Sequence, residues 1–255
     1  MRNYFASESV AARYARGRPE FHASVIEKLR PHLEPWRFAA ALDIGCGTGA
    51  SARPLTSVAR RVVGLDPSLA MLAHAGRSRA VDYVAGRAEA LPFETGSFDL
   101  LTVSSAFHWL DRDRFLAEAL RVVSPAGRLV VYDNFFANET EDGGAEGIGS
   151  WLREIHWKRY PYPPRASVEF APGENVDPGF RCETRDEYQN LVEFTRDGLV
   201  DYLVTQTNVI AAVEEGDESM DEVRGWLLRD LAPFFEGHES RRLMFECPIW
   251  ILRPR

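Results

Sequence analysis

Ala39-Ala-Ala-Leu-Asp43-Ile-Gly45-Cys-Gly47-Thr-Gly49-Ala50 is the stretch on which the reading of this chain turns. An apolar run ends in three glycines spaced two apart, which predicts a buried strand entering a tight turn. Without Cβ atoms such a turn adopts positive φ and lets a ligand approach the main chain. In parallel α/β sheets a turn at the carboxyl end of a strand is where nucleotides bind, because the next helix presents free N–H groups there. Asp66 closes a second apolar run, Arg61-Val-Val-Gly-Leu65. It supplies a carboxylate roughly 20 residues downstream, the spacing that holds a ribose.

The glycine spacing separates two ligand classes. Dinucleotide sites use G-x-G-x-x-G, whereas this chain has G-x-G-x-G preceded by Asp43, which disfavours a nucleotide-dependent oxidoreductase. Asp43-Ile-Gly-Cys-Gly-Thr-Gly49 resembles motif I of the class I S-adenosylmethionine-dependent methyltransferases. In that family the loop packs on the methionine part of the cofactor. The resemblance implies a Rossmann-like α/β fold with a mostly parallel seven-stranded sheet and a helical cap. It also implies S-adenosyl-L-methionine as cofactor, with Asp43, Gly45, Cys46, Gly47 and Gly49 forming its loop. Asp66 would lie on the ribose hydroxyls, with Pro67 opening the next helix and Met71 against the adenine. An ordinary strand-to-helix turn, and a ligand sensor that keeps the fold without catalysis, stay open at this point.

Composition bounds the alternatives. A chain of 255 residues with 45% hydrophobic content suits one α/β domain with insertions. The net charge is −8 and no basic block stands out, so a phosphate-binding footprint for nucleic acid is not expected. Cys46, Cys182 and Cys247 are an odd number with no C-x-x-C pair, which argues against a disulfide framework or a metal site. No apolar run reaches membrane-spanning length, and Met1-Arg-Asn-Tyr-Phe5 lacks the apolar core of a secretion signal. A soluble cytoplasmic protein with a small-molecule substrate, and no nucleic-acid or membrane partner, is the expectation.

Three further segments extend the resemblance toward methyltransferases similar to trans-aconitate methyltransferase. Tyr14-Ala-Arg-Gly-Arg18-Pro-Glu-Phe21 matches a segment that folds over the cofactor mouth, although Phe21 and His22 stand where that group has Tyr and Pro. Tyr14 is therefore placed on the cofactor and Arg18 on the substrate side. Gly86-Arg-Ala-Glu-Ala-Leu-Pro-Phe93 matches a segment whose Ala88 and Glu89 sit at the adenine edge, with Arg87 where relatives carry Asp. Phe98 to Ser104 reads as a buried strand ending on the cofactor side. Ser104-Ser-Ala-Phe-His108-Trp109 then matches a signature that places His108 beside the transferable methyl and Trp109 in the substrate pocket. Histidine near neutral pH can serve as a general base, yet a lone histidine more often shapes a pocket. The implied function is methyl transfer to a small acceptor, a carboxylate or hydroxyl of an organic acid or other metabolite.

Outside these motifs the chain reads as one domain in four parts. Residues 1–35 form a helical lid, with helices over 7–16 and 19–32. Residues 36–135 are the cofactor core, with a helix over 50–58, strands at 61–66 and 81–85, a helix over 112–123 and a strand over 128–133. Residues 136–240 are substrate-side insertions: a mobile acidic loop at 138–147, a helical segment at 151–157 stopped by Tyr160-Pro-Tyr-Pro-Pro164, a strand at 187–194 and two cap helices. Residues 241–255 close the sheet, and Pro248 within that strand predicts an edge or a bulge.

Overall fold

A computed structural model describes residues 4–33, 37–76, 80–140, 147–216 and 218–255. The parallel half of the sheet comprises β1 (Phe38–Ile44), β2 (Ala59–Asp66), β3 (Val81–Ala85), β4 (Phe98–Ser104) and β5 (Val123–Tyr132). Their order is β3-β2-β1-β4-β5, all neighbours parallel. The order reverses between β1 and β4, so a crevice opens beyond their carboxyl ends, where α/β sheets bind ligands. The antiparallel half adds β6 (Phe135–Thr140), β7 (Asn175–Val176), β8 (Phe180–Phe194) and β9 (Arg241–Pro254). There β9 lies between β5 and β8, β7 flanks β8, and β6 pairs with the amino-terminal part of β9.

The sheet therefore has nine strands among the described residues instead of the seven expected. The two additional strands are β7, only two residues long, and β6, whose end overlaps the segment expected to be a mobile loop. The rest of that segment, residues 141–146, lies outside the described residues. Pro248 sits inside β9, not at an edge. Its carbonyl accepts the Asp133 N–H at 3.2 Å, on the side where the ladder of β9 passes from β6 to β5, so the missing proline N–H falls in a gap between partners.

Helices cover both faces. On one lie α2 (His22–Leu29) and α3 (Leu69–Ala73), with α1 (Glu8–Gly17) against α3, and on the other α4 (Arg112–Val122) packs through Phe115, Leu116, Ala119 and Val122, all buried. Side chains at Ser7, Ser68 and Asp111 accept the first free N–H groups of α1, α3 and α4, fixing where each begins. The helix expected from Pro19 starts only at His22. The helix expected over 50–58 is reduced to a tight turn at Arg53–Ser57. Arg53 N–H still bonds the Gly49 carbonyl, but Pro54 has no N–H with which to continue the ladder.

Between β6 and β7 a helical run comprises α5 (Ile148–Trp151), a wider turn over Leu152–His156 and α6 (Trp157–Arg159). Between β8 and β9 stand three cap helices instead of two: α7 (Arg196–Leu203), α8 (Thr207–Glu215) and α9 (Met220–Leu231). The break between α7 and α8 is held by Thr205, whose N–H and hydroxyl both bond the Tyr202 carbonyl. Leu199, Leu203, Val223, Leu227 and Leu231 of the cap bury against Leu243 and Phe245 of β9. No helix among the described residues is long and apolar enough to cross a membrane.

Candidate active site

The glycine turn is built on the end of β1. Gly45, Gly47 and Gly49 have φ of 71°, 53° and 77°, a region that side-chain-bearing residues rarely enter. The N–H groups of Gly45 and Cys46 bond the Leu65 carbonyl at 2.8 and 3.1 Å, tying the turn to β2. Asp66 extends this stitch. One oxygen accepts the Gly47 N–H at 2.9 Å and the other the Ser68 N–H at 2.8 Å. Burial raises its pKa, opposed by these two bonds.

A cavity of about 280 Å³ lies against this turn. Of the residues assigned to the cofactor in the sequence, Tyr14, Gly45, Gly47, Asp66, Pro67, Met71, Ala88, Glu89 and Ser104 line it. A Cβ on Gly47 would stand 3.1 Å from the Met71 methyl, so the turn leaves that space to the cavity. Glu89 is already engaged, accepting the Asp111 N–H at 3.2 Å and facing Arg87 at 3.4 Å.

Asp43, Cys46 and Gly49 do not line the cavity; they stand behind its wall. Asp43 is fully buried and accepts the hydroxyls of Ser51 at 2.6 Å and Thr102 at 2.7 Å. Burial pushes its pKa up to about 6. The Cys46 thiol, raised by burial, packs over Gly64 at 2.9 Å from where a Cβ would lie. A Cβ on Gly49 would come within 2.2 Å of the Tyr83 hydroxyl, so this glycine is required by packing.

A second cavity, of about 560 Å³, adjoins the first; Phe5, Tyr14, Ser105 and Trp109 line both. Arg18, His108 and Trp109, read from the sequence as the substrate side, all line it. Arg18 donates to the Thr205 carbonyl at 3.2 Å and its guanidinium lies 4.7 Å from the Tyr14 ring centre and 5.3 Å from that of Tyr202. His108 is buried, with Nδ1 3.7 Å from Asp133 Oδ2. Asp133 is itself fixed by the Ser105 hydroxyl, which donates to Oδ1 at 2.7 Å. Burial lowers the His108 pKa, Asp133 opposes this, and Arg165 adds to it.

Sequence reading missed Asp133, Arg165, Tyr202 and Gln206, which also line this cavity. Asp133 was within reach, because it follows directly on β5, whose carboxyl end faces the crevice. Of the four aromatic residues clustered between 151 and 162, Trp157 and Tyr162 line this cavity, whereas Trp151 and Tyr160 pack on His156 and Trp226. Arg165 lies 4.2 Å over the Tyr162 ring centre. Neither Arg18 nor Arg165 has a carboxylate within salt-bridge distance among the described residues. Buried Arg18 Nε, Trp157 Nε1 and Trp250 Nε1, of residues lining this cavity, also lack hydrogen-bond partners among them.

The stretch that builds the glycine turn, β2, β3, β4 and β5 coincides with one family: residues 42–131 match the methyltransferase domain. Over 229 residues the chain is 24% identical to a methyltransferase-named protein of Dictyostelium discoideum, covering 87% of this chain and 84% of that one. Over 92 residues it is 45% identical to demethylmenaquinone methyltransferase of Renibacterium salmoninarum, covering 35% of this chain and 39% of that enzyme. A solved structure assigned as a type II methyltransferase of Anaeromyxobacter dehalogenans superposes with a TM-score of 0.66 at 24% identity, covering 91% of this chain and 95% of that one. The 45% identity thus spans about a third of the chain, while the likeness of fold covers 91% of it.

Proposed function

We propose that the protein transfers the methyl group of S-adenosylmethionine to a small-molecule acceptor. The observation that carries this reading is the pair of adjoining cavities, one on the glycine turn and Asp66, the other on His108 and two arginines, sharing Phe5, Tyr14, Ser105 and Trp109 as a common wall. The residues of the first cavity fit the cofactor: Gly47 leaves room for a ligand against the main chain, Asp66 presents a fixed carboxylate to a ribose, and Met71 offers an apolar contact to an adenine. The cofactor's sulfonium makes its methyl electrophilic. The protein's part is then to hold acceptor and methyl donor in line and to exclude water.

The second cavity, about 560 Å³ and walled by α1 and the cap, suits a small metabolite. Two arginines without carboxylate partners favour an acceptor with an anionic group, in keeping with the resemblance to the trans-aconitate methyltransferase group. The test is turnover with methyl-tritiated cofactor and a metabolite library. Label entering a small acid supports the reading. Label that stays on tightly bound cofactor throughout the library identifies a non-catalytic binding protein instead.

A further inference from the structure

Nine phenylalanine, tyrosine and tryptophan residues line the acceptor cavity, among them Tyr14, Trp109, Trp157, Tyr162, Tyr202 and Trp250, and this selects for a flat molecule. Against that aromatic wall stand two kinds of polar group. The guanidinium groups of Arg18 and Arg165 lie over tyrosine rings, and although one terminal nitrogen of Arg18 donates to the Thr205 carbonyl, its Nε has no partner among the described residues, which leaves donors for a planar anion. His108 is backed by Asp133, and Asp133 by Ser105, at the wall shared with the cofactor cavity. A carboxylate nucleophile needs no base, so a carboxylate acceptor alone leaves the His108, Asp133 and Ser105 chain without a task.

Resting on the methyl-transfer reading above, we propose that the acceptor is a planar acid with an ionisable hydroxyl, a hydroxyaryl or enolic carboxylate. Its carboxylate sits on Arg18 and Arg165. Its hydroxyl is the nucleophile, His108 the general base, and Asp133 the positioning residue. The hydroxyl O–H bond breaks and its proton moves to Nε2 of His108, which has no hydrogen-bond partner among the described residues. The oxygen pair forms the new O–C bond while the S–C bond breaks and leaves its electron pair on sulfur. The proton then passes from His108 to solvent. The charged groups acting on His108 are Asp133, which favours its protonated form, and Arg165, which opposes it. The separation of 3.7 Å between Nδ1 and Asp133 is a loose contact of the kind that tightens in a loaded complex.

The probe is 4-hydroxy-3-nitrobenzoate, whose phenolate absorbs in the visible, added to protein loaded with S-adenosylhomocysteine. Calorimetry is expected to show binding that Arg165→Gln and Arg18→Gln each weaken by about tenfold or more. At about pH 6 the phenolate band is expected to rise on binding, and His108→Asn to abolish that rise while affinity stays within about threefold. Asp133→Asn shrinks the rise, because removing the carboxylate weakens His108 as a base, and Asp133→Glu restores part of it. A merely structural Asp133 leaves the band unmoved. Absence of probe binding to the loaded protein, equal affinity in the arginine variants, or an unchanged band overturns the proposal alone. Failure of S-adenosylhomocysteine to load overturns the methyl-transfer reading with it.

Discussion

Asp66 does two jobs that separate measurements can resolve. It faces the cavity, and it accepts the N–H groups of Gly47 and Ser68, so it also sets the shape of the glycine turn. Asp66→Ala is expected to weaken S-adenosylhomocysteine binding by about 1–3 kcal/mol, the range for a lost hydrogen bond to a charged group. Unchanged affinity in calorimetry removes the ribose assignment. Asp43 acts on stability instead. Its folded-state pKa of about 6 lies above its ordinary 3.8, so the folded protein binds the proton more tightly than the unfolded chain. This contribution to stability is fully present below the ordinary value and is lost as pH rises to about 6. In urea titrations Asp43→Asn should flatten the wild-type loss of stability across that window, and a wild-type profile that rises there instead contradicts the assignment. Asp66 was legible from its place at the end of an apolar run. The inward turn of Asp43 onto Ser51 and Thr102 was not, since Thr102 arrives from β4, a strand far along the chain.

At the scale of elements, α1 joins the cofactor half to the cap. Glu8 pairs with His74 beyond α3 at 2.6 Å and Ser68 bonds the Phe5 carbonyl at 2.7 Å, while at its other end Arg16 faces Asp201 of α7 at 3.4 Å. At Gly17 the contact is closest: a Cβ there would lie 2.2 Å from the Asp201 carbonyl oxygen. In an open helix Gly→Ala gains up to about 1 kcal/mol. Here Gly17→Ala should instead cost about 1–3 kcal/mol, as in overpacked sites, and weaken cofactor binding by holding α1 off α7. A stabilised variant with full affinity means α1 and α7 are not in this contact in solution. Lids come from the less stable parts of a fold. Hydrogen exchange should therefore show protection gained over residues 14–21 when S-adenosylhomocysteine is added, with smaller gains over 195–236, while β1 and β4 stay protected throughout. Equal protection of 14–21 in both states makes it fixed core. Strand β4 was readable residue for residue because its burial leaves a nearly continuous apolar run, and β3, at the sheet edge, was marked by its alternation of valine with Asp82 and Tyr83. The strand β6 and the split between α7 and α8 were not, because partial burial in the first and a single threonine turn in the second leave little trace in apolar periodicity.

Across the whole molecule the two halves of the sheet divide the labour. The parallel strands carry the glycine turn and Asp66 at their carboxyl ends, and the antiparallel strands with their cap wall off the larger cavity. The parallel half was legible because its signal is local, a spacing of glycines and a carboxylate at fixed offsets. The acceptor half draws Arg18, His108, Asp133, Arg165 and Tyr202 from five separate segments, and only the closed fold brings them to one cavity. The proposed methyl transfer requires that the glycine turn hold an adenosine joined to an amino acid. Calorimetry of the wild-type chain and of Gly47→Val with S-adenosylhomocysteine and with NAD tests it directly, with circular dichroism confirming that the variant is folded. Wild type is expected to bind S-adenosylhomocysteine and not NAD, and folded Gly47→Val to bind neither, since its side chain meets Met71 and fills the cavity. Binding of NAD in place of S-adenosylhomocysteine, or undiminished binding by the folded variant, contradicts it.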